Sequence, residues 1–537
     1  MDSPKSSCYI HTRTNPAICT RSSNLFQESE PSASFPIPVF SNAGNVDTLR
    51  YVHPEVEFAH RKQTPLPKRR TFGQISTPFQ VEVQEALIYK AIPYIAIAAG
   101  VVLAFFLYKK CWKTQPHNGP IQPRTKEEHL GVIKFTPVGQ KQIRQDERPA
   151  ARARPNEGLK TVFGIANAFT TRDQGVHAKF VSDAKKRMQK AIQLNGNKWK
   201  DQDGDWNNVR ALAQCSVGQI LSQPEEKLRI VDLVRVVTLK VSLRIFFNAS
   251  DKAINSQRSM EQLVLIGQRI NDLWIASKDK SKPLPEWHSE SNTDIHEALL
   301  AVCEAENPDE AEEVNPLKPE KNPMDWLLPA YETMWRVVLA CVIELRFRNA
   351  ENATIWCKAL EEYVSDTSRE KFKGTPTTPG VRGFCVNDIV KEALRLYPPT
   401  RRVYRRFTED GEDVKADIEF CHRSNAQDAF GPDPLCFRPE RWLKIRAHLG
   451  AEKTDTDVKI VEGERGFMPF AVVCPAGQSS TQAFGLKMIA LLAGVLCEGL
   501  DKFNEWVLED QKPYQDLTKP LPSDRAAFDK LYLIKRN

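Results

Sequence analysis

The sequence predicts a mainly α-helical domain with small β-sheets, preceded by a single transmembrane helix. Three observations predict it. An uncharged run, "AIPYIAIAAGVVLAFFLY" from Ala91 to Tyr108, interrupts a chain that is otherwise dense in charge. From Gly158 onward, apolar residues recur at helical spacing over long windows. Segments that alternate apolar and polar residues are short and few, and fall mostly after Pro399.

Composition narrows the possibilities. The chain has 537 residues, of which 41% are hydrophobic and 27% charged, which describes a globular protein. The net charge of +7 is mild for this length, and no basic run interleaved with aromatics offers a nucleic-acid groove. Twelve cysteines without CxxC pairs argue against a disulfide framework or a structural zinc site, and for a reducing compartment. The ten histidines form no HExxH motif.

Residues 1–86 are rich in Ser, Thr and Pro without sustained periodicity, and read as a disordered extension. Residues 87–109 read as a membrane anchor. At 1.5 Å per residue the uncharged run covers about 27 Å, close to a bilayer's hydrocarbon core. Lys109, Lys110 and Lys113 follow it and Glu82 and Glu85 precede it, which places the bulk of the chain on the cytoplasmic side. Residues 110–157 read as a Pro- and Arg-rich linker. The stretches "HAKFVSDAKKRMQKAIQL", "RIVDLVRVVTLKVSLRIFF" and "SMEQLVLIGQRINDLWIAS" then predict three helices, the second apolar enough to lie in the interior.

Four places invite a chemical reading. In "DWLLPAYETMWRVVLACVIELRF" (Asp325 to Phe347), Pro329 either kinks a long apolar helix or starts one. Glu332 and Thr333 follow it, an acid beside a hydroxyl. In "NDIVKEALRLYPPTRRVYRRF", Glu392 and Arg395 share one helix face at three-residue spacing. They are either a surface pair or a buried one, and Arg441 in "FGPDPLCFRPERW" could complete a buried Glu–Arg–Arg network. Finally, Cys474 in "GFMPFAVVCPAGQSS" precedes an apolar helix. It is either a small buried hydrophobe or a metal-binding thiolate.

Together, "PAYET", "EALR", "FRPERW" and "FMPFAVVCPAG" with "FGLKMIALLAG" resemble, in order and spacing, the cytochrome P-450 superfamily of haem-thiolate monooxygenases. The phrases around "LYPPTRRVYRRF" look like a divergent fungal branch. The resemblance covers residues 158–537 and implies the cytochrome P-450 fold there. It implies haem b with Cys474 as axial thiolate, Phe470 against the haem, and Arg405 and His177 on its propionates. It also implies Glu332 and Thr333 as the proton-delivering pair of the distal helix, and Glu392, Arg395 and Arg441 as the structural triad. The implied reaction inserts one oxygen atom from O₂ into an apolar small molecule. Electrons would come from NADPH through a reductase, with cytochrome b5 as a further donor, at the endoplasmic reticulum membrane. Two departures stand out. Phe470 and Cys474 are four positions apart where the family's FxxGxxxCxG pattern has seven, and only 69 residues (177 − 108) separate the anchor from His177. The rival readings are a haem-free scaffold of the same fold and a haem-dependent rearrangement or dehydration.

Overall fold

The computed structural model describes residues 147–193, 204–279, 281–305, 313–376, 383–407, 414–423, 430–447, 449, 455–470, 482–503 and 506–536. The chain divides into Met1–Ala96 and Ile97–Asn537, and all described residues belong to the second unit. The expected extension 1–86, the anchor 87–109 and Cys474 lie outside the described residues.

The described part is mostly helical with two small sheets. Its principal helices are α1 (Glu147–Ala153), α2 (Gln174–Ala191), α3 (Asn207–Leu221), α4 (Ile230–Phe247), α5 (Gln257–Ala276) and α6 (Met324–Arg346). After them come α7 (Ala353–Ser365), α8 (Val386–Leu396), α9 (Ile418–Arg423), α10 (Arg441–Arg446) and α11 (Gln482–Lys502). Side-chain caps start several of them. Asp173 accepts from Val176 N at 2.8 Å ahead of α2, and Ser256 accepts from Ser259 N at 3.1 Å ahead of α5. Helix α4, mostly apolar but carrying Asp232, Arg235, Lys240 and Arg244, is buried along almost its whole length and ends at Asn248 in a left-handed conformation (φ 50°). Helix α11 packs against α3, α6, α7 and α8, so the core is one continuous apolar body threaded by α4, α6 and α11.

Strands β1 (Lys227–Arg229), β4 (Trp506–Leu508) and β5 (Tyr532–Lys535) form one antiparallel sheet in the order β1-β5-β4. Strands β2 (Arg402–Arg405) and β3 (Val414–Asp417) pair antiparallel, with Arg402 opposite Asp417. Burial alternates along β2, which turns Val403 and Arg405 inward.

One feature differs from the sequence expectation, and at Pro329 the first of the two alternatives, an interruption inside a long helix, is the one observed. The stretch read as linker to residue 157 is folded from Glu147: α1 docks on β2, with Arg406 N donating to Ala151 O at 2.8 Å. Arg154 Nη1 extends the contact by donating to Arg406 O and Phe407 O, both at 2.8 Å. In α6, the helix starts at Met324, ahead of Pro329, and the proline lies in a π-turn from Leu328 to Glu332. The widened turn absorbs a residue with no N–H to donate. Among the described residues, α6 is the one helix long and apolar enough to cross a membrane, but it is mostly buried inside the protein. It is not the segment expected to serve as anchor.

Candidate functional site

Helix α8 carries Glu392 and Arg395 one turn apart on its inward face, and both are wholly buried. Arg395 grips the carboxylate with two nitrogens, Nε to Oε2 at 2.9 Å and Nη2 to Oε1 at 2.8 Å. Arg441 at the start of α10 adds Nε to Oε1 at 2.8 Å, Arg438 N adds a 2.8 Å bond and Trp442 Nε1 one of 3.0 Å. The arginines' remaining nitrogens go to backbone carbonyls. Arg395 Nη1 donates to His422 O at 2.8 Å, and Arg441 Nη2 donates to Asp433 O at 3.0 Å and Cys436 O at 2.9 Å. Burial pushes the Glu392 carboxyl up, but the two guanidinium charges and the donated bonds together hold it below the usual range. The structure therefore brings Glu392, Arg395 and Arg441 into one closed network.

A second cluster is open. Arg152 of α1, only 2% exposed, places Nη1 3.3 Å from His177 Nε2 of α2, while its Nε and Nη2 are buried without a hydrogen-bond partner. Arg405, inward on β2 and 8% exposed, donates from Nη1 to Tyr404 O at 2.7 Å. Burial brings Arg152 down to about 10. Burial and then the Arg152 charge bring Arg405 down to about 9 and His177 to about 4. At neutral pH the His177 ring is uncharged and accepts from Arg152. Two guanidinium groups in low dielectric, one of them lacking partners at two nitrogens, make a receptor for carboxylate or phosphate oxygens. Arg152 sits in the stretch read as linker, and no sequence motif pointed to it. Its one local signal is the Ala-Arg-Ala-Arg alternation of residues 151–154.

In α6 the Thr333 hydroxyl donates to Pro329 O at 2.7 Å, taking up a carbonyl released by the π-turn. Glu332 is 2% exposed. Its Oε2 accepts from Trp335 Nε1 at 3.2 Å, and its Oε1 is in ion-pair contact with Arg525 Nη1 without a linear hydrogen bond. Arg525 begins a 3₁₀ turn, Arg525–Phe528, and lies over the Trp274 ring at 4.7 Å. It too was not singled out in the sequence. A small crevice of about 20 Å³ is lined by Trp335, Arg336, Tyr397, Pro398 and Arg525, among others.

Phe470 is partly buried against the core at the end of the described stretch 455–470. Cys474 falls in 471–481, outside the described residues, and among the described residues no cluster of three or more His, Cys, Asp or Glu side chains could hold a metal ion. The residues present fit haem at one end: Arg152, His177 and Arg405 suit its carboxylates, and Arg152 has two buried nitrogens left to offer.

The sequence matches no family model and no curated protein. Among solved structures, the fold is similar to a six-coordinated cytochrome P450 from Thermus thermophilus, with 14% identity and a TM-score of 0.36. The match covers 78% of this chain and 92% of that one.

Proposed function

We propose that the chain is a membrane-anchored haem-thiolate monooxygenase that inserts one oxygen atom from O₂ into an apolar small organic molecule. The observation that carries this reading is the buried Arg152, which has two nitrogens without a hydrogen-bond partner, beside His177 and within reach of the Arg405 charge. The ordered sequence motifs supply the rest. Haem, when bound, provides the iron chemistry that activates dioxygen. Arg152 and Arg405 would hold its propionates by charge-assisted hydrogen bonds, with His177 orienting Arg152. Cys474 would be the axial ligand. Thr333, its hydrogen committed to Pro329 O, keeps oxygen lone pairs for accepting a bond, and Glu332 is the neighbouring carboxylate along α6. Residues 91–108 would anchor the enzyme in the endoplasmic reticulum membrane with the catalytic part cytoplasmic. Electrons would come from NADPH through a reductase, with cytochrome b5 as a second donor.

The deciding experiment is haem titration of the full chain in membranes, followed by the carbon monoxide difference spectrum of the reduced protein beside a Cys474→Ala control. The expected result is one tightly bound haem whose red-shifted, thiolate-type band disappears in the control. Folded chain that takes up no haem would overturn the reading in favour of a haem-free scaffold. Haem bound equally in the control would remove Cys474 as ligand.

A further inference from the structure

Helix α9 follows β3 directly and carries His422, which is fully buried. Two hydrogen bonds reach its ring. Nδ1 lies 3.1 Å from Arg395 O, and Nε2 lies 3.1 Å from Met468 N. A carbonyl can only accept and an amide N–H can only donate, so these two partners favour one neutral tautomer, with the hydrogen on Nδ1, while the Gly466 carbonyl also faces the ring. Arg395 Nη1 donates in return to His422 O at 2.8 Å, making the α8–α9 contact reciprocal. The same ring packs on Phe467 at 5.3 Å, and Phe467 packs on Trp442 at 4.6 Å. Trp442 Nε1 in turn donates to Glu392 Oε2. The Glu392 network therefore reaches residues 467–468 by two routes: through Arg395 and His422, and through Trp442 and Phe467. Gly466, at φ 79°, provides the left-handed turn that delivers the backbone to this point.

We propose that His422 is a positioning residue: its Nε2, by holding the Met468 amide, transmits the fixed geometry of the Glu392–Arg395–Arg441 network to the backbone that leads into Cys474. The role toward the thiolate rests on the haem-thiolate reading, but the bridge itself does not. Nothing in the sequence motifs singles out this histidine. Burial and the Arg395 charge hold its ring uncharged down to about pH 3, as an acceptor to an amide requires.

Two variants separate the ring's two contacts. In His422→Gln the side-chain amide reaches the place of Nε2 and can still accept from Met468 N. In His422→Asn the amide stops near Nδ1, serves Arg395 O and leaves the Met468 N–H unpaired. Hydrogen exchange of the 466–470 peptide, measured on the haem-free full chain, is expected to accelerate about tenfold or more in the Asn variant and to stay within about threefold of wild type in the Gln variant. In the haem-loaded chain, the carbon monoxide complex of the Asn variant is expected to lose thiolate character while the Gln variant keeps it. Equal exchange in the two variants, or an Asn variant indistinguishable from wild type, would overturn the bridge. Should both variants misfold, ¹⁵N-histidine NMR of the wild-type chain decides, and a buried histidine protonated on Nε2 would overturn it. Wild-type chain that binds no haem would sink the functional reading and the role toward the thiolate, while the exchange comparison still judges the bridge.

Discussion

Glu392 and Arg152 are both charged and both buried, and the chain treats them in opposite ways. The Glu392 carboxylate receives five hydrogen bonds from Arg395, Arg438, Arg441 and Trp442, and both arginines are completed by backbone carbonyls. Arg152 receives one neutral histidine and the face of Phe169 at 5.6 Å, and two of its nitrogens have no hydrogen-bond partner. A buried charge with a full set of partners is structural: removing one member leaves the others stranded. A buried charge with an incomplete set is poised for a ligand, and in the ligand's absence it is a burden on the fold.

The sharpest way to break this contrast is to truncate a member of each. Glu392→Ala strands Arg395 and Arg441 in the interior and is expected to cost about 3–5 kcal/mol in urea unfolding of the haem-free chain. A cost below about 1 kcal/mol would mean that the network is not closed after all. Arg152→Met removes a poorly compensated charge and fills its volume, so the haem-free chain should unfold no more easily than wild type and gain up to about 1 kcal/mol. Haem should leave the Arg152→Met chain roughly tenfold faster, as expected for one lost charge-assisted contact. A haem-free Arg152→Met chain destabilised as much as Glu392→Ala would erase the difference between the two regions.

A pH series sharpens it from the other side. His422 is held down to about 3 by burial and then by the Arg395 charge, with Arg423 adding to it, against an ordinary value near 6.5. Between pH 6.5 and about 3 the unfolded chain takes up a proton there that the folded chain refuses. Stability must therefore fall as pH is lowered through that window, by about 1.4 kcal/mol per pH unit. Asp325, raised to about 7 mainly by burial, works the other way, losing stability as pH rises from its ordinary 3.8 towards 7. The test is the difference between wild type and His422→Gln, whose stability profile should lack the histidine's slope while retaining that of Asp325. The smallest expected effect is Thr333→Val, which loses one hydrogen bond to Pro329 O and should cost about 1 kcal/mol, a downward shift of a degree or two in the thermal midpoint.

Legibility in the sequence follows the same divide. The closed network was readable because its members sit in short motifs: Glu392 and Arg395 share a helix face by spacing, and Arg441 stands in "FRPERW". The helices over residues 230–247, 257–276 and 386–396 follow from apolar periodicity that the core then uses. The open cluster was only half readable. His177 and Arg405 entered through resemblance, but Arg152 lies among prolines and arginines in a seven-residue helix held by a contact 255 residues away (406 − 151), and local pattern carries no trace of such a contact. Arg525 as the partner of Glu332 is a similar case, since an arginine in a polar turn looks solvated until the tertiary fold turns it inward. Pro329 announced an interruption, but its form as a π-turn depends on Thr333 taking the released carbonyl.

The sheet order β1-β5-β4 has a consequence for how the chain is made. The central strand, Tyr532–Lys535, is the last of the three to be synthesised, and it pairs with Lys227–Arg229 from the first half of the chain. Its two flanking strands emerge with nothing to hydrogen-bond to, and the helices between them must collapse while both edges stay open. The stretch that brings the central strand also brings Arg525 to Glu332. The acid of α6 thus waits through 193 residues of synthesis (525 − 332) for its counter-charge, and closing the sheet and pairing the acid belong to one late step of assembly.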